Sequence, residues 1–75
     1  METLDLHGTR HGDVEREVIR FVERCWGKGE EEAKIITGHS LPMQKIVLDI
    51  LDEYQAVAQI GGPLGVDNTL IRVLF

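Results

Sequence analysis

One cysteine, two prolines, one tryptophan and one tyrosine are all that this 75-residue chain has of those residue types. Each shortage excludes something. With Cys25 alone, no disulfide framework forms within the chain, and a reducing compartment, the cytoplasm, is the expected setting. Cys25 also falls on an apolar helical stripe with no patterned charge to activate it, so it reads as a core residue rather than a reactive thiol. No apolar run approaches the roughly 20 residues that cross a bilayer, and no basic stretch followed by an apolar one opens the sequence, so neither a membrane span nor an export signal is expected. Basic residues are scarce as well: eight lysines and arginines face thirteen aspartates and glutamates, a net charge of -5. Tight, nonspecific binding to free duplex draws on many such cations and is not expected, although a local basic patch can still hold a phosphate.

What remains is the composition of a globular protein, 43% hydrophobic and 28% charged. The length admits one hydrophobic core and one domain, residues 1–75. No repeat, low-complexity tract or linker interrupts it. Thr3 to Leu6 alternates, with Leu4 and Leu6 on one face and Asp5 and His7 on the other, and predicts a first strand. Gly8 to Gly12 predicts a loop, and Asp13 opens a helix whose Val14, Val18, Phe21, Val22 and Cys25 share a face, with Gly27 and Gly29 as its stop. The acidic Glu30 to Glu32 predicts a solvated loop. Ala33 to Thr37 predicts a second strand, followed by the turn Gly38, His39, Ser40. Ser40 then caps a helix with Pro42 in its first turn and Met43, Ile46, Val47, Ile50, Leu51 and Tyr54 on one face. Ala56 to Ile60 predicts a strand, Gly61 to Asn68 a glycine-rich connection, and Thr69 to Phe75 a last strand.

The resulting order, βαβαββ, is an α/β (α+β) pattern. Two strand-helix-strand units with right-handed crossovers put both helices on one face of a single sheet. The other face stays open, and Leu70 and Leu74 flanking Arg72 make it partly apolar, a surface for docking or for homo-oligomer formation. Trp26 and Tyr54 fall near helix ends and read as edges of the core rather than as platforms for base stacking.

The chemistry concentrates in the loops that leave the first two strands, the edge where open α/β sheets bind ligands. Asp5 and His7 project to the same side, and a carboxylate beside an imidazole favours and orients the protonated ring, as a general acid or base near neutral pH requires. Gly38 lets a ligand approach the backbone closely, and the N–H groups that open the second helix attract an anion. Arg10 is the basic residue of the first loop. A surface histidine and an ordinary turn are the competing readings of the same residues. A metal site is not expected, because gathering His7, His11, His39 and Asp5 requires His11 to fold back from a loop.

These residues also carry a family resemblance. Leu4-Asp5-Leu6-His7-Gly8, followed by a helix, resembles the opening motif of the Smr domain, the small MutS-related module. Thr37-Gly38-His39-Ser40 is similar to its Thr-Gly-any-Gly turn, with Ser40 in place of the second glycine and without the basic, glycine-rich insertion of many members. Met43 and Ile46-Val47 after this turn resemble a compact branch of the family. The resemblance runs from Thr3 to Phe75. It implies a two-layer sandwich with a mixed four-stranded sheet, similar to the C-terminal domain of translation initiation factor three. It also implies nuclease-like activity on RNA or DNA, with the catalytic aspartate and histidine carried onto Asp5 and His7. His39, absent from the usual motif, is a candidate second proton carrier, and Thr37, Gly38, Ser40 and Arg10 are candidate phosphate-binding residues. No cofactor is required if RNA supplies its own nucleophile, and Mg2+ enters if the substrate is DNA. The alternative is a noncatalytic module that binds RNA, a ribosome or a protein.

Overall fold

The alternation of apolar side chains places each element. In the computed structural model, which describes residues 2–61 and 70–75, these elements are β1 (Glu2–Asp5), α1 (His11–Lys28), β2 (Glu32–Ile36), α2 (Leu41–Glu53), β3 (Val57–Ile60) and β4 (Leu70–Leu74). The connection expected from Gly61 onward, and Thr69, lie outside the described residues except for Gly61 itself. The expected strands and helices are all found among the described residues, in the expected order.

The strands form one mixed sheet in the order β1-β2-β4-β3. β1 runs parallel to β2 with Leu4 opposite Ile35, β4 runs antiparallel to β2 with Arg72 opposite Lys34, and β3 runs antiparallel to β4 with Ala58 opposite Val73. Because β4 inserts between β2 and β3, the first three strands all point the same way and their carboxyl ends share one edge. One sheet face carries Ala33, Ile35, Ile71 and Val73, which close against Val14, Val18, Phe21, Val22 and Cys25 of α1 and Met43, Val47, Ile50 and Leu51 of α2. Burying each such side chain contributes about 1.5–3 kcal/mol relative to leaving it in water. The result is the two-layer α+β architecture with both helices on one side.

The pleat sends the alternate residues the other way: Thr3 and Asp5 of β1, Glu32, Lys34 and Ile36 of β2, Leu70, Arg72 and Leu74 of β4, and Val57 and Gln59 of β3. None of the described elements covers this face.

Helix ends depart from the sequence reading by a turn or less. α1 begins at His11 rather than Asp13, with Arg10 as an extended N-cap whose side chain caps nothing. Asp13 instead supplies the negative charge that the first turn favours. Gly12 and Gly27 sit within the helix and are exposed. Packing of the apolar stripe outweighs the roughly 1 kcal/mol that each glycine costs. The stop is Gly29, at φ +73°, with its N–H on the Trp26 carbonyl and the Glu30 N–H on the Cys25 carbonyl. α2 begins as expected, its first turn holding Pro42 and its Met43 N–H donating to Ser40 Oγ at 3.2 Å.

At the far end of the sheet, Lys28 Nζ lies 3.0 Å and Arg24 Nε 3.6 Å from Glu2 Oε1, pinning α1 to the start of β1. Trp26 packs on Tyr54 with ring centroids 5.2 Å apart and on Phe75 at 6.4 Å. Both helix-end aromatics therefore close the edge of the core, with Trp26 left half exposed. No described helix is long and apolar enough to cross a membrane.

Candidate functional site

The site is built by the parallel pairing of β1 and β2. The Leu6 N–H donates to the Ile36 carbonyl at 2.8 Å, one residue past the end of β1, so the two loops leave the sheet side by side. The first loop turns at once: the Thr9 N–H closes on the Leu6 carbonyl at 2.9 Å, and Gly8 between them takes φ +84°. That turn is fixed from the side by Asp5, whose Oδ1 accepts the backbone N–H of His7 at 2.8 Å. The sequence reading set the carboxylate against the imidazole; here it holds the main chain that carries the imidazole. Local side-chain bonds of this kind are what makes aspartate a turn residue.

His7 is exposed, and its ring reaches across to the second loop. A Cβ built on Gly38 would stand 3.8 Å from His7 Cδ2. Gly38 adopts φ +68°, a left-handed conformation that favours glycine. Before it, Thr37 is buried, with its hydroxyl donating to the Gly38 carbonyl at 3.1 Å. After it, His39 is exposed and Ser40 caps α2. Asp5, His7, Thr37, Gly38 and Ser40 thus belong to one corner of the molecule, and His39 stands on the turn that forms it.

The first helix contributes a residue that sequence reasoning set aside. With α1 starting at His11, no folding back of the loop is needed, and His11 Nε2 comes to 3.5 Å from Ser40 Oγ. All three histidines of the chain therefore lie on the two loops and helix starts around Gly38 to Ser40. The signal was available in the pairing of the helix stripe with its first turn, but the glycine at position 12 hid it. Arg10, exposed at the N-cap of α1, is on the same edge and makes no ion pair among the described residues.

Chemically, this corner offers imidazoles beside the amino end of a helix. Met43 N–H is committed to Ser40 and Pro42 has none, so the N–H groups this helix start offers to an anion are those ahead of Pro42. Among the described residues no three histidine, cysteine, aspartate or glutamate side chains group closely enough to hold a metal ion.

Comparison with curated protein sequences gives no match. A crystal structure of YdaL, a stand-alone small MutS-related protein from Escherichia coli, superposes with a TM-score of 0.82 over 97% of this chain at 17% identity. This chain spans 63% of that one. At that identity the likeness concerns the fold. The model of the Smr domain family matches residues 4–63, a stretch that contains both loops of the corner and both helices, and on that match this chain belongs to the Smr domain family.

Proposed function

We propose that this protein binds nucleic acid and cleaves a phosphodiester at the corner between the first two loops. Membership of a family of nucleic-acid-binding, nuclease-like domains supplies the class. The observation that carries the reading within this chain is the His7 ring lying against Gly38 in the turn that leads into α2. On this reading the His7 imidazole is the proton-transferring group and the N–H groups at the start of α2 are the donors that meet the same phosphate. Asp5 keeps the His7 backbone in its turn, His7 moves the proton, and the N–H groups ahead of Pro42 stabilise the negative charge that builds on phosphorus-bound oxygen. His39 is the candidate second proton carrier, and Arg10 and Ser40 are candidates to contact the phosphate.

With RNA, the 2'-hydroxyl attacks the adjacent phosphorus while His7 takes its proton. The bond from phosphorus to the 5'-oxygen breaks, and that oxygen takes a proton from a second imidazole. With DNA, a water must attack instead and Mg2+ would assist. The corner offers such an ion one carboxylate, Asp5, with one oxygen already held by the His7 N–H. The described residues bring no three such ligands together.

The test is incubation of the pure protein with labelled single-stranded RNA, structured RNA and supercoiled DNA, with and without magnesium. Cleavage that disappears in His7→Ala supports the proposal, and cleavage equal to wild type ends the catalytic claim. A noncatalytic module is the second reading, favoured by the acidic net charge and by a carboxylate engaged with main chain. Binding without turnover on every substrate, unchanged in Asp5→Ala, would establish it.

A further inference from the structure

The open sheet face ends at this corner, at the carboxyl ends of β1 and β2. Five of the eight lysines and arginines pair with carboxylates: Arg16, Arg24, Lys28, Lys45 and Arg72. Arg10, Arg20 and Lys34 have no such pair among the described residues. Lys34 is unlike the other two, because it is half buried in the middle of an interior strand. Directly opposite it in register stands Arg72, and on its other side stands Thr3. Like charges placed directly across a strand pair are destabilising. Glu32 Oε2 takes the Arg72 guanidinium at 2.6 Å, which answers one of the two charges and leaves the ammonium of Lys34 unanswered.

The next row of the same face, two residues toward the carboxyl end of β2, is Asp5, Ile36 and Leu70. It lies about 7 Å along the strand. That row leads straight to the loops bearing His7 and Gly38. The face therefore runs, in order, from Lys34 and the Glu32-paired Arg72, through a row in which Ile36 and Leu70 are aliphatic and Asp5 carries a carboxylate, to the corner at His7 and Gly38.

We propose that the open sheet face is the track for a single nucleic-acid strand, with a phosphate neighbouring the scissile one seated between Lys34 and Arg72. An anion there supplies Lys34 with the counter-charge that Glu32 gives Arg72. Ile36 and Leu70 give the intervening sugar or base an apolar floor, which an unpaired strand can use and a duplex, with its base faces stacked inside, cannot. The inference rests on the reading of the corner as a nucleic-acid site.

The experiment measures fluorescence anisotropy of a labelled 2'-O-methyl oligonucleotide, which lacks the internal nucleophile, against wild type, Lys34→Gln, Arg72→Lys and Lys45→Gln. Lys34→Gln is expected to weaken binding about fivefold at low salt, and to flatten the log-log salt dependence by about 0.7, as loss of one single-strand phosphate contact does. Its thermal midpoint should be unchanged or higher, since a repulsion is removed. Arg72→Lys should lose less than Lys34→Gln, and Lys45→Gln, on the opposite layer, should bind like wild type. Wild-type affinity in Lys34→Gln overturns the track. If the midpoint instead falls, Lys34→Arg must restore both stability and binding, and failure to restore binding also overturns it. Absence of oligonucleotide binding by wild type sinks the reading of the corner itself, whereas binding indifferent to Lys34 sinks only the track.

Discussion

The imidazole of His7 rests against Gly38, with 3.8 Å between His7 Cδ2 and the place where a Cβ would be. That spacing is ordinary contact, so a methyl group at position 38 meets no clash. The backbone is another matter, because φ is +68° there. Gly38→Ala is therefore expected to cost about 1–2 kcal/mol through strain alone. Chemical denaturation measures it. If the cleavage proposed for the corner exists, the same variant should lose more activity than its stability predicts at a temperature where it is fully folded, because relief of the strain moves the turn under His7.

Ser40 has two roles that a pair of substitutions separates. Its Oγ caps α2 through the Met43 N–H and also neighbours His11 Nε2. Ser40→Ala should destabilise by about 1 kcal/mol, and Ser40→Asp, an equally good cap, should hold stability near wild type. Aspartate nevertheless brings a negative charge to the place assigned to a phosphate. Ser40→Asp is expected to weaken oligonucleotide binding more than Ser40→Ala does, and the reverse order in an anisotropy titration would refute the assignment.

Most of the architecture was legible because its burial follows simple periods. In β2 and β4, residues alternate between buried and half buried, and in both helices the apolar stripe recurs every third or fourth position. The sequence also holds Ser40 and Pro42 in the order that starts a helix. Two things were less legible. Gly12 looked like loop because propensity is local, whereas the helix is held by Val14 and Val18 in a core assembled from distant strands. The partner of the Asp5 carboxylate was hidden as well: side-chain alternation puts Asp5 and His7 on one side, but the chain turns immediately after Leu6, and the nearest donor becomes the His7 N–H.

Gln55 ends α2 in a way that glycine would do better. Its φ is +58°, the sole positive value at a non-glycine among the described residues. The turn closes with Gln55 N–H on the Asp52 carbonyl and Ala56 N–H on the Leu51 carbonyl, both at 3.0 Å, an arrangement in which glycine is the usual left-handed residue. Replacement removes about 1–2 kcal/mol of strain. It restores unfolded-chain freedom worth about 0.5–1 kcal/mol. Gln55→Gly should therefore raise stability by roughly 0.5–1 kcal/mol. A lowered denaturation midpoint would mean that the glutamine side chain contributes something its exposed position does not reveal.

Cys25 is fully buried in the core. Burial pushes its thiol up, with the charge of Glu2 adding to the effect. Thiolate is the reactive form, so a soluble disulfide reagent should leave the native protein unmodified near neutral pH and titrate one thiol once denaturant is added. Rapid reaction of the native state would show that α1 opens away from the sheet without global unfolding.

The ion pairs at Glu2 predict a pH dependence with a definite sign. The hydrogen bond from Lys28 and its charge, with a smaller contribution from Arg24, hold the Glu2 carboxyl below the usual glutamate range. A folded-state value below the unfolded one means that the unfolded chain binds the proton more readily. The stabilisation is therefore complete above the unfolded value and is lost as pH falls through the folded one. Glu2→Gln should lower the thermal midpoint at about pH 7, and the difference from wild type should close as the pH falls below the ordinary carboxylate range. Lys28 and Arg24 are half exposed, so salt screens the pair, and the neutral-pH difference should also shrink in about 1 M salt. A difference that persists in acid would place the effect of Glu2 in packing at the start of β1 rather than in its charge.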